Sequence, residues 1–380
     1  MSEASIPLLD KSQREAEDKK IKYYTATQFQ LMWWRFRRHK LAIFGSAILF
    51  LFFLIVIFAE FFAVVGGQTR DDTYPLGPPQ LPHFIDTSGN FHLSPFVYGV
   101  KTERDSVTLA LKLVTDESMT YPVRFFIKGE PYKLFGLIPG NIHFIGIEDG
   151  IFHPFGTDDL GRDIFSRTMF ATRISLSIGV LGVMLSFFLG LFIGGISGYF
   201  GGRIDFLIQR LTEFIRSIPT LPLWMAISAA LPKEWSALQI YFAITVILSL
   251  IGWTHLARRV RGKLLSVRNE DFVIAARLAG SSDARIISRH LLPSFLSYII
   301  VDLSVSFPYM ILGETSLSFI GLGLRPPIVS WGTLLQASQN IRTIAMHPWM
   351  FIPALFVIAA VLAFSFVGDG ARDAADPYAR

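Results

Sequence analysis

Long apolar runs separated by short polar segments dominate the pattern along this chain. A transmembrane helix needs roughly 20 consecutive, mostly apolar residues. Such stretches occur six times, although charged residues and prolines interrupt the third and the fifth. The pattern therefore predicts an all-α polytopic membrane protein with six transmembrane helices, at Leu41–Val65, Ile174–Tyr199, Ile204–Leu231, Leu238–Ala257, Ser294–Leu322 and Trp349–Val367.

The composition agrees with several membrane spans. Hydrophobic residues make up 51% of the 380 positions and charged residues only 17%, whereas soluble domains carry about 25% charge. These proportions exclude a soluble cytosolic enzyme and a disordered chain. The lack of cysteine excludes disulfides, thiolate metal sites and cysteine nucleophiles. The net charge of +5 is typical of basic cytoplasmic loops, and no aromatic–basic pattern indicates nucleic-acid binding.

Basic residues predict the orientation, because they concentrate in cytoplasmic loops. The segment from Arg258 to His290 contains eight Lys or Arg residues, and the short loops on the opposite side contain few. Both termini are therefore expected in the cytoplasm, and residues 67–165 outside the membrane. This outer segment carries 8 Lys or Arg against 13 Asp or Glu. Its strand-like stretches Tyr121–Lys128 and Tyr132–Ile138 predict a small, mainly β extracytoplasmic insert between helices 1 and 2.

Small residues recur at every fourth position of the second predicted span. Such a series lets two helix backbones approach closely, so we expect this face to pack against another helix. The residues concerned are Gly182, Ser186, Gly190, Gly194 and Gly198.

The same span contains the sequence Gly-Ile-Ser-Gly around Ser197, which matches the surroundings of the serine in intramembrane proteases. A serine nucleophile needs a neighbouring base, and His255 is the candidate within a predicted span. A protease is thus a minor alternative that rests on four residues.

The loop 258–293 has the pattern of two short helices separated by a turn. Acidic residues suit the start of the first helix, and Gly280 suits the left-handed position that ends it. This helix lies outside the predicted spans, beyond a run of basic residues, so its apolar side chains are not required for contact with lipid. They therefore predict a protein partner. A helix lying on the membrane surface is the alternative. The candidate contact residues are Glu270, Asp271, Phe272, Ile274, Ala275, Ala276, Leu278 and Gly280.

Ala275-Ala276, Gly280 and Leu292-Pro293 together resemble the EAA loop of binding-protein-dependent ABC importer permeases, although Ile274 stands where that motif begins with Glu. Three further segments, at 155–167, 313–332 and 368–377, are similar to signatures of the dipeptide/oligopeptide/nickel-type permeases. The resemblance implies the type I ABC importer permease fold. It also implies that the loop 258–293 is a coupling loop, whose helix docks on an ATPase subunit.

The resemblance implies a division of the chain into segments and a set of partner proteins. The implied segments are a cytoplasmic N-terminal segment 1–40, a first transmembrane helix 41–66, the insert 67–165, a core permease domain 166–370 and a cytoplasmic tail 371–380. The implied partners are a homologous second permease, two ABC ATPase subunits and an extracytoplasmic substrate-binding protein. The expected location is a bacterial or archaeal cytoplasmic membrane. The expected cargo is peptides or similar small oligomeric solutes, with oligosaccharides as the alternative.

Two acidic residues within the fifth span, Asp302 and Glu314, are candidates for lining the translocation pathway, because ionisable groups in spans commonly face a cavity. The alternative is hydrogen bonding at a helix interface. The chain contains neither a GxxxxGK[ST] phosphate loop nor an HExxH motif. We therefore expect no enzyme activity, metal or cofactor in this chain, and ATP and Mg on the partner ATPases. A self-contained secondary transporter is the rival from another class, and it should show an inverted repeat.

Overall fold

The computed structural model describes residues 25–87, 89–104 and 111–375. Within them, the strands all lie between residues 83 and 146, and helices make up most of the remainder. The helices are α1 (Gln28–Phe36), α2 (Lys40–Ile57), α3 (Ala59–Phe62), α4 (Ile164–Phe200), α5 (Gly202–Ser217), α6 (Thr220–Ala229), α7 (Ala237–Val267), α8 (Asp271–Leu278), α9 (Asp283–Ser294, π-helical over Ile286–Leu291), α10 (Leu296–Phe319), α11 (Trp331–Gln336), α12 (Ile341–Met346) and α13 (Ile352–Ala375). The strands are β1 (His83–Ile85), β2 (Phe91–Arg104), β3 (Leu111–Pro122), β4 (Arg124–Leu134) and β5 (Ile138–Gly146).

Four helical stretches of the described chain are long and apolar enough to cross a membrane. They are α2, α4, α7 and Pro348–Ala375, which joins a short 3₁₀ turn to α13. A fifth span results if α9 and the stretch Ile299–Phe319 of α10 count as one helix that bends by 80°. The protein is thus a helical membrane protein, and the count of six spans stays a prediction.

The third predicted span, Ile204–Leu231, is wrong as a single helix. The chain breaks at Ile218, whose φ of −90° and ψ of 130° are extended, and α6 begins after Pro219. The residue before a proline is biased away from the helical region, because the proline ring crowds its backbone. The polar residues Arg210 and Glu213 lie exposed on α5 and pair with each other at 2.8 Å.

The strands form two separate antiparallel units in the segment predicted to be β. A three-stranded sheet has the order β1-β2-β3, and β4 pairs with β5 as a hairpin. The predicted strand bounds are wrong, because Tyr121–Lys128 crosses the break at Val123 and Tyr132–Ile138 crosses the hairpin turn. The turn contains Phe135 and Gly136, both with positive φ. An aromatic residue in a turn does not interrupt an apolar pattern, so the sequence hides this boundary.

The series of small residues on α4 lies against its neighbouring helices. A side chain added at Gly190 would lie 2.8 Å from the Leu256 Cβ, and one at Gly194 would lie 2.5 Å from the carbonyl oxygen of Ala257, both on α7. Gly198 faces α7 in the same way, at Arg261 and Leu264. The Ser186 hydroxyl donates to the Ser249 carbonyl of α7 at 3.1 Å. At the other end, Gly182 faces the Met310 side chain of α10.

The contact between α4 and α7 is tightest at Gly194, where the nearest atoms belong to backbone. Gly194→Ala should force the two helices apart and destabilise the subunit by about 1–3 kcal/mol, as overpacking does elsewhere. Gly195→Ala is the matched control, because open space surrounds its added methyl group. The measurement is the melting temperature of the purified subunit in detergent. Equal melting temperatures for the two variants would contradict a close contact at Gly194.

Candidate functional site

Helix α8 lies in the loop 258–293 and is closed by a defined backbone turn. Its first turn carries Asp271, which is favourable at the positive end of the helix dipole. At its other end Gly280 has φ of +76°. The Gly280 N–H donates to the Arg277 carbonyl at 3.0 Å, and the Ser281 N–H donates to the Ala276 carbonyl at 3.1 Å. This pair of bonds is the Schellman motif, and it requires the left-handed conformation that glycine adopts without strain.

One apolar residue and one tyrosine hold α8 on the membrane helices. Val273 is fully buried in a core that includes Leu264 of α7 and Tyr199 at the end of α4. The Tyr199 hydroxyl donates to the Asp283 carboxylate at 2.5 Å and accepts from the Arg277 guanidinium at 3.3 Å. The hydroxyl therefore connects the two short helices on either side of the Gly280 turn.

The opposite face of α8 is open. Phe272, Ile274 and Leu278 are all exposed, and Leu278 has 84% of its surface accessible. Of the remaining predicted contact residues, Glu270, Asp271, Ala275 and Gly280 are exposed and Ala276 is half-buried. The surface formed by Phe272, Ile274, Ala275 and Leu278 is called the α8 face below. It consists of apolar side chains that the described part of this chain leaves uncovered.

The segment before α4 is organised around Asp158. Its carboxylate accepts from the backbone N–H groups of Leu160 and Arg162, both at 2.9 Å, and pairs with the side chains of Arg162 and Arg167. Gly161 has φ of +69°, and a side chain there would collide with the carbonyl oxygen of Asp71. The segment therefore needs glycine at this position to pack on the chain that follows α3.

His153 joins this segment to the start of the insert. Its Nδ1 lies 3.1 Å from Asp163, which caps α4, and its Nε2 lies 3.3 Å from Asp71. Burial by itself lowers the pKa of His153, but the hydrogen bonds with Asp163 and Asp71 outweigh it and raise the pKa above its usual value. The hydrogen bond with His153 lowers the pKa of Asp71 to about 2.

The two acidic residues of α10 lie in different surroundings about 18 Å apart along the helix. Glu314 is fully buried, and it accepts hydrogen bonds from the hydroxyls of Ser175 at 3.0 Å and Ser318 at 2.8 Å. Asp302 forms an ion pair with Arg259 of α7. Glu314 is therefore enclosed between helices. In contrast, the Arg259 side chain that pairs with Asp302 is 45% exposed.

The serine of the alternative protease reading has other partners. The Ser197 hydroxyl donates to Asp205 at 2.5 Å and accepts from the Gln209 side chain at 3.1 Å. His255 contacts the Tyr309 ring instead. The geometry thus contains no serine–histidine pair between Ser197 and His255. Among the residues that the structure describes, no cluster of His, Asp and Glu could hold a metal ion.

Comparison with protein families decides the class of this chain. Residues 145–380 match the model of the family described as "binding-protein-dependent transport system inner membrane component". The chain belongs to this family. It is therefore a permease component of such a transport system and an inner-membrane protein. Residues 27–79 match a second model, described as the N-terminal transmembrane domain of oligopeptide transport permease C.

Individual relatives support the assignment to the permease family. The chain is 38% identical over 229 residues to the oligopeptide transport system permease protein OppC of Bacillus subtilis, covering 60% of this chain and 72% of the relative. It is 30% identical over 342 residues to the dipeptide transport system permease protein DppC of Lactococcus lactis, covering 84% and 97%. A solved structure of the MetNI methionine ABC transporter aligns with a TM-score of 0.43 at 18% identity, over 53% of this chain and 93% of that chain. Family membership rests on the match to the family model and on the sequence identity to these two permease proteins.

Several structural partners in this permease escape sequence reasoning. Tyr199 and Val273 fix α8, and Arg259 pairs with Asp302, yet none carries a motif. Glu60 and Arg173 form a two-fold hydrogen-bonded ion pair between the end of the first span and the start of the second. Opposite charges at adjoining span ends give a usable signal for such a pair, because both lie on the same side of the membrane. No comparable signal marks Tyr199.

The His153 cluster makes stability depend on pH. Because the pKa of His153 is raised in the folded state, its interactions stabilise the fold fully below about pH 6.5. This stabilisation is lost as the pH rises through the folded-state pKa. Because the pKa of Asp71 is lowered, its interactions stabilise the fold above pH 3.8, and this stabilisation is lost as the pH falls towards about 2. His153→Asn should therefore lower the melting temperature clearly at pH 5, and the difference from wild type should narrow by pH 9. His92→Asn, at a half-exposed histidine, is the control. A difference that stays constant with pH would contradict this account.

Proposed function

We propose that this chain forms half of the translocation pathway of a peptide importer driven by ATP hydrolysis. The names of its relatives, an oligopeptide and a dipeptide permease, support peptides or similar small oligomeric solutes as cargo. The proposed assembly contains a homologous second permease, two ABC ATPase subunits that bind ATP and Mg, and an extracytoplasmic binding protein. In this assembly the chain itself performs no chemical step.

The proposed topology has six spans and both termini in the cytoplasm. Beyond the five spans identified by length and hydropathy, this count adds the broken pair α5 and α6, which occupies the position of the third predicted span. Of this pair, α6 is apolar but has only 10 residues. The loop that contains α8 then faces the cytoplasm, and the insert 67–165 faces outwards. The eight Lys or Arg residues of the loop support this orientation, because basic residues concentrate in cytoplasmic loops. We expect the insert to contact the binding protein or the second permease, and the core 166–370 to carry the pathway.

The α8 face is the observation that carries the functional proposal. It is apolar, exposed and held rigidly by the Schellman turn and by Tyr199. A helix with such a surface can bind by packing its apolar face into a groove of another protein. ATP-driven closure of the ATPase pair would push on α8, and Val273 and Tyr199 would pass the movement to α7 and α4. A rigid attachment is needed, because a loosely held helix would absorb the displacement.

The α10 acidic residues take separate roles in this proposal. Asp302 is the better candidate for the pathway wall, because its partner Arg259 is partly open to solvent. Glu314 is enclosed by hydroxyl groups of α4 and α10 and suits a helix interface. The glycine series of α4 would keep α4 and α7 together as one body while the pathway opens and closes.

Docking of the α8 face is tested with Leu278→Glu. This change places a charge on the proposed interface and leaves the packing of the subunit intact, because Leu278 is 84% exposed. We expect an unchanged melting temperature, a loss of ATPase binding by about tenfold or more and no peptide uptake. The matched control for ATPase binding is Leu93→Glu, at an equally exposed leucine of β2 on the opposite side of the proposed topology. Co-purified ATPases and substrate-stimulated ATP hydrolysis at wild-type levels in Leu278→Glu would refute the docking role.

The topology is tested separately by labelling. The native chain contains no cysteine, so Leu93→Cys and Ser266→Cys each provide one reactive site, the second exposed near the end of α7 and outside the α8 face. We expect a membrane-impermeant thiol reagent to label the first in cells with a permeabilised outer membrane, and the second only after lysis. Labelling of Leu93→Cys only after lysis would reverse the proposed orientation.

A further inference from the structure

The hairpin β4–β5 carries apolar side chains that the described part of the chain leaves largely exposed. Its turn presents Phe135, Leu137 and Ile138, all exposed, and Leu137 has 81% of its surface accessible. These three residues are called the hairpin tip below. Residues 80–144 lie between the two family-model matches, which end at 79 and begin again at 145. The hairpin tip therefore belongs to a part of the chain to which the family models assign nothing.

The hairpin is fixed firmly to the end of the first span. His143 bridges the Ala63 carbonyl at 2.6 Å and the Glu130 carbonyl at 2.9 Å. The Glu130 carboxylate accepts from the Gly66 N–H at 2.8 Å. Phe144 also contacts the rings of Phe61 and Phe62 of α3. The position of the hairpin relative to α2 is thus set by hydrogen bonds as well as by aromatic packing.

The hairpin tip lies beside the last turn of α2, and Arg173 connects the two. Helix α2 has 18 residues, which at 1.5 Å each give about 27 Å, close to the roughly 30 Å of a bilayer core. The Arg173 side chain donates to the carbonyl groups of Val56 and Ile57, in the last turn of α2, at 2.7 and 3.3 Å. The Phe135 ring lies on this guanidinium group at 4.6 Å. The hairpin tip therefore lies beside the end of a helix whose length is close to the thickness of the hydrocarbon core.

The surroundings of the hairpin tip match those of an interfacial anchor. Ile57 and Phe58 at the end of α2 are exposed and apolar, so the lipid-facing surface of α2 ends beside the tip. Tyr132 and Lys133 precede the tip, and Lys133 is exposed. Lysine suits a membrane interface, because it combines an apolar stem with a charged end. The Tyr132 hydroxyl donates within the hairpin, to the Ile142 carbonyl at 2.9 Å. A lipid surface therefore fits both the apolar tip and its polar flank.

We propose that the β4–β5 hairpin is a membrane anchor, whose tip inserts into the lipid beside the end of α2. The anchor would fix the height of the insert above the bilayer. It does not depend on the identity of the cargo or on ATPase docking, because it follows from the position of the tip relative to a span of a membrane protein.

The test places an environment-sensitive fluorophore on Leu137→Cys in the assembled importer, reconstituted in lipid nanodiscs. The matched control carries the same fluorophore on Leu93→Cys, which is as exposed and as apolar but lies in the three-stranded sheet. Ile138→Cys is a second probe position. We expect quenching of the Leu137 probe by spin-labelled lipid, and a several-fold weaker quenching by aqueous iodide than at Leu93.

Two outcomes would overturn the anchor. Strong iodide quenching at Leu137, without quenching by the lipid label, would place the tip in water. Weak quenching by both reagents would show that a protein subunit covers the tip, and the hairpin would then be an assembly surface rather than a lipid anchor.

Discussion

The close approach of α4 to α7 is the constraint on which the rest of this permease depends. Lipid is as apolar as leucine, so helices in a bilayer associate through close packing rather than through the hydrophobic effect. Gly190 and Gly194 allow that packing by letting the α7 backbone lie where side chains would be. Helix α4 has 37 residues, about 55 Å at 1.5 Å each, so it extends well beyond the bilayer. Its two ends are therefore free to organise the polar parts of the protein.

Each end of α4 fixes one of those polar parts. At its start, Asp163 caps the helix and binds His153, which in turn reaches Asp71 after the first span. At its end, Tyr199 binds Arg277 and Asp283 on either side of the Gly280 turn. One helix thus connects the base of the insert with α8. A displacement of α8 would act directly on α4, the longest helix among the described residues.

Sequence reasoning predicts the apolar helices well, because length and hydropathy are enough to identify a span. It also predicts the end of α8, since a glycine after a short amphipathic segment has few other uses. The method fails for the third span, where Pro219 divides one apolar run into two helices. It fails again for the strand bounds, because Phe135 extends the apolar pattern through a turn. The partners of Asp302 and Glu314 depend on which helices meet, and neither periodicity nor charge specifies that.

The insert leaves and re-enters the helical core at nearly the same place. The Asp71 N–H donates to the Gly161 carbonyl at 2.9 Å, and the Gln80 N–H donates to the His153 carbonyl at 2.9 Å. Both connecting segments therefore run side by side as one neck, beside which the hairpin β4–β5 also packs on α3. A module joined through such a neck can grow, shrink or be exchanged during evolution while the path of the membrane helices stays the same.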